Sequence, residues 1–236
     1  MSIRASLAAL ALLLVGVACG GGGGSSGGTA TFTGTVRGNS FKTGDAVSAT
    51  NVLIATQGSL ADCTSNADCT TTGETCIAGS CGARSGTVAA IVLTSATGLC
   101  SKVSASQEPK STQYFVLALG EVDYNTRTVT PPSGAFSYAV TYTGLPPTRF
   151  AKILFQGTDA SCKAVSAQGV GGVNGTVQLT RADANGYTGT FDLNLQQTDA
   201  SGHVTGTADH VTGTFNTTNC AGLAGLVATN RHTTCM

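Results

Sequence analysis

The last third of the chain alternates apolar and polar residues with a period of two. Residues 171–220 contain three such runs, which are separated by the short polar segments "DANG" and "DASG". A period of two places successive side chains on opposite faces of a β-strand. Asn185-Gly186 lies between two of the runs, and this dipeptide favours the tight turn of a hairpin because both residues tolerate positive φ. The pattern therefore predicts a β-meander.

The same alternation begins at Thr29 and continues through most of the chain. We expect a short helix or a loop held by Cys100 over residues 97–108, where the alternation is absent. The fold class that we predict is all-β: an antiparallel β-sandwich or flattened barrel of about nine or ten strands, in one domain over residues 29–236. The other segments that predict strands are rich in β-branched and aromatic residues, and they are "TATFTGTVRG", "AVSATNVLIATQ", "GTVAAIVLTS", "TQYFVLALGEVDY", "AFSYAVTYTG" and "RFAKILFQGTD".

The composition agrees with this fold class and narrows the range of partners. The chain has 32 glycines and no tryptophan, and both glycine and the abundant threonine lower helix stability. Charged residues make up 10% of the chain, and the formal net charge is 0. Such a chain lacks the basic surface that would attract nucleic acid, so we expect no nucleic-acid partner.

Residues 1–18 have the layout of a secretory signal peptide. Arg4 is followed by an apolar run from Leu7 to Val17 and then by small residues. The apolar run is shorter than the roughly 20 residues that cross a bilayer as a helix, and a glycine tract follows it from Gly20. We therefore expect an export signal and not a transmembrane helix.

The segment Gly16-Val17-Ala18-Cys19 resembles the lipobox of bacterial lipoproteins. The resemblance implies cleavage just before Cys19 and attachment of a diacylglyceryl group to its sulfur, so that membrane lipid holds the protein through acylated Cys19. Residues 19–28 would then be the lipidated cysteine and a flexible Gly/Ser tether, which spans roughly 17 Å as a random coil. Gly20 stands where an aspartate often favours retention at the inner membrane. The expected location is the cell envelope, at the outer membrane or the cell surface.

A cysteine-rich insert occupies residues 62–82. It contains Cys63, Cys69, Cys76 and Cys81 among small polar residues, and Ile77 is its one large apolar side chain. Disulfides across short loops are worth on the order of 2–3 kcal/mol each, and two local disulfides of unassigned pairing are the preferred interpretation. A structural zinc site is the alternative, although such sites favour ligands two to four residues apart and reducing conditions.

The insert also resembles a cysteine-rich motif of secreted proteins and lipoproteins of myxobacteria. The likeness lies in Asp68-Cys69 and in the segment from Gly73 to Cys81, "GETCIAGSC". The remainder of the chain is similar to uncharacterised β-rich lipoproteins of that group. This resemblance implies a fold and an address, and it implies no activity.

The four cysteines outside the insert complete an even set of eight once Cys19 is set aside. Four cysteines allow three pairings, and the sequence does not choose among them. We expect Cys100–Cys162, because both residues follow strand segments, and Cys220–Cys235, because a bridge there would hold the C-terminal end.

The sequence contains no motif that clearly identifies a catalytic group. His203 and His210 are seven residues apart, so in one strand they would point to opposite faces and not share a ligand. Asp199 and Asp209 lie near them, and His232 lies in the C-terminal tail. The motifs of common hydrolases, nucleotide-binding loops and zinc peptidases do not occur. We therefore expect no enzymatic activity, no cofactor and no bound metal.

Two classes of function remain. The first is a lipid-anchored envelope lipoprotein that acts as a structural or binding module and contacts an envelope protein or a glycan. The second is a small-ligand or glycan-binding protein whose concave face is lined by Tyr114, Tyr138, Tyr142 and Phe155. A hydrolase is less favoured than either, because no local sequence nominates a pair of carboxylates.

Overall fold

The computed structural model describes residues 27–57, 63, 65–77, 80–141, 146–198, 204–224 and 234–236. The signal peptide predicted over 1–18, Cys19 and the tether up to residue 26 lie outside the described residues. Among the described residues, no helix is long and apolar enough to cross a membrane.

Strands make up most of the described chain. A six-residue helix, α1 (Leu99–Ser104), confirms the helical alternative for residues 97–108, and a single turn of 3-10 helix covers Asn66–Asp68. The strands are β1 (Thr29–Thr33), β2 (Thr35–Val36), β3 (Asn39–Ser40), β4 (Asp45–Gln57), β5 (Thr75–Ile77), β6 (Ser80–Gly82), β7 (Arg84–Thr94), β8 (Gln107–Glu108), β9 (Gln113–Asp123), β10 (Thr128–Thr130), β11 (Ser137–Val140), β12 (Arg149–Thr158), β13 (Ala164–Asp183), β14 (Gly186–Thr198), β15 (Val204–Asn216), β16 (Thr218–Asn219) and β17 (Thr234–Cys235).

One large sheet contains 11 of these strands, which confirms the all-β prediction. Its order is β1-β15-β14-β13-β11-β12-β9-β7-β4-β16, and β10 pairs with β9. Most pairs are antiparallel, but β11 runs parallel to β12 and β16 runs parallel to β4. Three further two-stranded ladders join β17 to β8, β2 to β3 and β5 to β6. The sheet is therefore mixed, with more strands than we expected.

The two ends of the sheet approach each other without forming a continuous ladder. Gly28 donates its N–H to the carbonyl oxygen of Ala46 at 2.9 Å, and these two residues form an isolated antiparallel bridge. Buried polar groups fill the neighbouring gap between β4 and β14: the Thr217 hydroxyl donates to Ser48 Oγ at 2.8 Å and accepts the Tyr187 N–H at 2.9 Å. The sheet is thus curled but is not a closed barrel.

The predicted β-meander in the last third is confirmed. β13, β14 and β15 pair in sequence as antiparallel neighbours. The first turn consists of residues 184–185, and Gly186 opens β14 with φ 137°. A side chain there would meet the carbonyl oxygen of Thr217, 2.3 Å from the position of a Cβ atom. The glycine of the Asn185-Gly186 signal is therefore required by close packing as well as by its φ angle.

Phenylalanine side chains from distant strands meet inside the curled sheet. The ring centroid of Phe115 on β9 lies 5.1 Å from that of Phe191 on β14, although three strands separate β9 from β14 in the sheet order. Phe32 on β1 lies 5.2 Å from Phe115, and the edge of Phe41 packs against Phe155 at 5.5 Å. These contacts define an interior core to which all the long strands from β4 to β15 contribute.

A second core covers the outer face of β4, β7 and β9. Along β7, Ala89, Ile91 and Leu93 face the interior core, while Val88 and Val92 face outward and are also buried. The outward side chains are covered by Leu99 and Val103 of α1 and by Leu223 of the helical residues 221–224. Burial on both faces explains why β7 reads as a continuous apolar run and does not alternate.

A buried carboxylate joins α1 to the sheet. Asp45, at the start of β4, accepts the N–H of Ala46 at 2.8 Å through Oδ1 and the N–H of Leu99 at 2.9 Å through Oδ2. Gly98, the residue before α1, contributes no side-chain cap. Asp45 therefore supplies an acceptor for one of the free N–H groups of the first helical turn.

The disulfides confirm part of the cysteine prediction and correct the rest. Within the insert, the bridges are Cys63–Cys76 and Cys69–Cys81, so its cysteines pair locally as expected. The other two bridges are Cys100–Cys220 and Cys162–Cys235, so the predicted pairs Cys100–Cys162 and Cys220–Cys235 are wrong.

Two short parallel strands explain the observed pairing. After the meander, β16 returns to pair with β4, and the N–H of Cys220 donates to the Ser48 carbonyl oxygen at 2.7 Å. This return brings Cys220 to α1, which carries Cys100. At the C-terminal end, β17 pairs with β8 and brings Cys235 to Cys162 in the loop after β12. No pattern in the sequence predicts that β16 pairs with β4 or that β17 pairs with β8.

Replacing Phe115 by alanine tests the interior core. Phe115 is fully buried, so Phe115→Ala should lower the free energy of unfolding by about 3–5 kcal/mol through lost apolar burial and a cavity. Val204→Ala is the matched control, because Val204 is 39% exposed and its truncation should change stability by less than about 0.5 kcal/mol. Chemical denaturation measures both, and equal losses would contradict the interior position of Phe115.

Candidate functional site

The strongest polar cluster of the described residues surrounds Glu121, at the end of β9. Glu121 Oε1 accepts the Tyr138 hydroxyl at 2.8 Å, and Oε2 accepts the Ser133 hydroxyl at 2.9 Å. Arg149 Nε lies 3.5 Å from Oε1, and the Arg149 guanidinium stacks 3.6 Å from the centroid of the Phe136 ring. We call these five residues the Glu121 cluster.

The Glu121 cluster keeps its carboxylate charged and its phenol protonated. Burial acts to raise the pKa of Glu121, but hydrogen bonds from Tyr138 and Ser133, with the charge of Arg149, outweigh it and leave that pKa below its usual value. Burial, followed by the bond to the Glu121 carboxylate, raises the pKa of Tyr138 well above its usual range. A charged Glu121 and a protonated Tyr138 suit a cluster that holds strands and a loop together.

The Glu121 carboxylate is poorly suited to act as a general base for Ser133. The Ser133 hydroxyl donates to a carboxylate whose pKa is lowered, and general bases work best with a pKa near the operating pH. What the cluster does is hold the loop before β11 against the ends of β9 and β12. Sequence reasoning missed Glu121, although an acid within the apolar run "FVLALGEVD" was a signal.

A small cavity lies on the outer face of the sheet, between β9, β12 and the loop that carries Cys162. Its volume is about 50 Å³, and its lining includes Glu108, Tyr114, Gln156 and Thr158. The Tyr114 hydroxyl is buried and has no hydrogen-bond partner among the residues that the structure describes. Burial, and next the charge of Glu108, raise the pKa of Tyr114 well above its usual range, so the phenol remains a donor.

The size of the Tyr114 cavity limits what it can hold. A buried water needs roughly 10–15 Å³ of such space, whereas pockets for drug-sized ligands are on the order of 300–1,000 Å³. The cavity therefore has room for a few water molecules and not for a sugar ring.

Lys152 is the most perturbed amine of the described residues. It lies on β12, and its ammonium group donates to the Thr141 carbonyl oxygen at 2.5 Å. Burial lowers its pKa to about 8. The low pKa increases the fraction of neutral amine at physiological pH, but the hydrogen bond to Thr141 shows a structural contact as well.

The histidine and aspartate residues named in the sequence analysis are not brought together in one site of the described residues. His210 Nε2 lies 2.9 Å from Asp192 Oδ1, with the two side chains 60% and 69% exposed. Asp209 instead accepts the backbone N–H of Arg37 at 2.7 Å. An exposed pair of this kind is usually worth little energetically. His203, His232 and Asp199 lie outside the described residues.

The predicted aromatic lining also divides between two places. Tyr138 and Phe155 belong to the interior core, and Tyr114 belongs to the outer core. Tyr142 lies outside the described residues. The described aromatics therefore pack in cores and do not line one shared pocket.

Comparisons with known proteins find no relative from which a function could be transferred. No protein-family model, no curated protein and no solved structure matches the chain. The function must therefore be argued from the chain's own residues.

Two buried tyrosines provide a matched test of these sites. Tyr138→Phe removes a hydrogen bond to a charged acceptor and should lower the free energy of unfolding by about 1.5–3 kcal/mol. Tyr114→Phe removes a buried hydroxyl that no described residue hydrogen-bonds, so the free energy of unfolding should be unchanged or slightly higher. Denaturant titration compares the two variants with the native protein. A clear loss in Tyr114→Phe would show that the cavity holds a hydrogen-bond partner.

Proposed function

We propose that this protein is a lipid-anchored lipoprotein of the cell envelope whose β-domain serves as a structural or binding module. The observation that carries the proposal is the cysteine count. The chain has nine cysteines, and the four disulfides use all eight that follow Cys19. Cys19 is thus left without a partner in its own chain, at the position where the lipobox-like segment calls for an acylated cysteine.

The same disulfides support an address outside the cytosol. Disulfides form and persist in oxidising compartments and are rare in the cytosol. The bridge from Cys100 to Cys220 spans 120 residues of sequence and the bridge from Cys162 to Cys235 spans 73. Long bridges limit the unfolded chain most in the entropic account, which suits a protein that works outside the cell's repair systems. The outer membrane or the cell surface remains the proposed location.

The position of the insert supports display away from the membrane. Gly27 packs against the start of β4, where a Cβ atom on Gly27 would lie 1.3 Å from Asp45 Oδ1. The insert follows the other end of β4, which has 13 residues, a span of at most about 43 Å in extended form. A tether that enters beside Asp45 would therefore leave the insert on the far side of the domain.

We further propose that the curled sheet is a flattened, incompletely closed barrel.

We propose no catalytic activity for the described part of the domain. The carboxylate of the Glu121 cluster is engaged by three neighbours, and His210 lies in an exposed pair with Asp192. The lowered pKa of Glu121 makes it a poor general base, and the described contacts of the His210–Asp192 pair include no nucleophile. A hydrolase is correspondingly the least supported alternative.

Glycan binding is the second candidate, and one surface favours it. Thr31, Thr214, Thr190 and Gln178 occupy matching register positions across β1, β15, β14 and β13. All four are exposed, and the hydroxyls of Thr31 and Thr214 lie 2.9 Å apart. We call these four residues the threonine row. Uncharged hydroxyls and amides suit the hydroxyl groups of a sugar.

The lipid anchor is tested by labelling with radioactive palmitate in a bacterial host. The native chain should incorporate label and partition with membranes, and Cys19→Ser should lose both because the acceptor sulfur is gone. Cys162→Ser is the control, since it changes a cysteine of the β-domain and should retain the label. Unchanged label in Cys19→Ser would overturn the proposed anchor.

The glycan candidate is tested by co-sedimentation with purified peptidoglycan, chitin and cellulose. Replacing Thr31, Thr190 and Thr214 with valine keeps side-chain shape and strand preference while removing the hydroxyls. Binding should fall in this triple variant and persist in the control Thr128→Val/Thr130→Val, which alters exposed positions on β10. Equal binding by both variants, or none by the native protein, would exclude the threonine row as a glycan site.

A further inference from the structure

Three of the four sulfur atoms of the insert lie in one cluster. Sγ atoms of Cys63, Cys69 and Cys81 all lie within 4.8 Å of one another. The fourth sulfur, that of Cys76, is bonded to Cys63. Two bridges therefore share one small volume instead of standing apart along the insert.

The β-hairpin formed by β5 and β6 explains why the sulfurs cluster. Cys76 and Cys81 are directly opposite each other in its register, so both side chains leave the same face of the hairpin. Each is bridged to a cysteine of the preceding loop, with Cα–Cα distances of 5.8 Å for Cys63–Cys76 and 5.4 Å for Cys69–Cys81. The hairpin thus places the two bridges side by side, with Cys63, Cys69 and Cys81 grouped and Cys76 bonded to Cys63 at their edge.

This arrangement is close to what a tetrahedral zinc site requires. With Zn–S bonds of about 2.3 Å, the sulfurs of a tetrahedral site lie about 3.8 Å apart. The three clustered sulfurs are already within 4.8 Å of one another. Opening each disulfide requires its two sulfurs to separate, and the Cys76 sulfur, which is outside the group of three, must also move toward the ion.

We propose that the insert is a redox-dependent zinc site, in which Cys63, Cys69, Cys76 and Cys81 bind one Zn²⁺ ion when both bridges are reduced. In the oxidised protein the sulfurs are bonded in pairs and supply no thiolates. The disulfides and the metal are therefore alternative cross-links between the same four residues.

The chemistry balances with a thiol or phosphine reductant. Each disulfide accepts two electrons and two protons and becomes two thiols, while a dithiol reductant becomes a disulfide, or a phosphine takes an oxygen atom from water and becomes its oxide. The four thiols then bind Zn²⁺ and release four protons, because the thiolate is the ligand. On reoxidation, the four thiolates lose four electrons to an oxidant such as a disulfide, the two bridges re-form and the ion leaves.

The surroundings of the cluster favour retention of a metal. Cys63 and Cys81 are buried, and both strands of the hairpin pack against β4. The loop before the hairpin is ordered by hydrogen bonds that do not involve sulfur: Asn66 Oδ1 accepts the Cys76 N–H at 2.9 Å, and Asp68 accepts the Ser65 N–H at 2.8 Å. These contacts can hold the backbone near the required geometry after the bridges open.

Cobalt(II) provides the test, because four thiolates around it give intense visible d–d bands and near-ultraviolet charge-transfer bands. The full chain with Cys19→Ser is reduced with a phosphine in detergent, freed of reductant without oxygen and titrated with Co²⁺. We expect saturation at one Co²⁺ per chain, displacement of the cobalt by Zn²⁺, and no such bands before reduction.

Two double variants separate the proposed site from incidental binding by other thiols. Cys76→Ser/Cys81→Ser should lose the tetrahedral bands, whereas Cys162→Ser/Cys235→Ser should keep them. Far-ultraviolet circular dichroism of each reduced variant reports whether the β-sheet persists. Absence of the bands in the reduced chain while the sheet persists would overturn the proposal, and so would equal bands in the two variants. Loss of the sheet on reduction would overturn it as well, because the site depends on the folded insert. These outcomes are independent of whether Cys19 carries lipid.

Discussion

Phe115 on β9 meets Phe32 on β1 and Phe191 on β14, although at least three strands separate β9 from either of them in the sheet order, and the rest of the structure depends on this contact. The rings lie between 5.1 and 5.7 Å apart. An 11-stranded sheet that stayed open would leave these side chains in water. Curling buries them and brings the first and last strands of the main path into proximity. Buried side chains of the long strands fill the interior of the curled sheet in its described part.

Where the two ends of the curled sheet meet, polar side chains and a disulfide supplement the backbone pairing. β4 and β1 are joined by one isolated bridge, so backbone pairing alone does not close the sheet there. Ser48, Tyr187 and Thr217 satisfy one another across the gap, and the bridge between Cys100 and Cys220 fixes the return of β16 to β4. The outer core under α1 then has a stable cover. In a chain with few charged and aromatic residues, hydrogen bonds and disulfides thereby help to specify one fold.

Cysteine chemistry carries the proposed function, because several polar groups of the described residues are engaged in structural contacts. Glu121 anchors a loop, Asp45 holds α1, and Lys152 donates to a backbone carbonyl. The cysteines, in contrast, divide into one residue at the lipobox-like segment and eight that are paired. This division is what the proposed anchor predicts. In the insert, three of the four sulfurs lie within 4.8 Å of one another, and the proposed zinc site would give these cysteines a second role.

Local patterns in the sequence by themselves determined the all-β class, the meander around Asn185-Gly186, the helical alternative near Cys100 and the pairing of the insert cysteines among themselves. Each of these depends on neighbours within a few residues, where period, turn preference and short loops decide the outcome. The count of strands, the use of Tyr114 and Tyr138 in separate cores, and the pairs Cys100–Cys220 and Cys162–Cys235 were decided only by the tertiary structure. They depend on how far the sheet curls and on where β16 and β17 return, and these contacts join residues that are remote in sequence and carry no local signal.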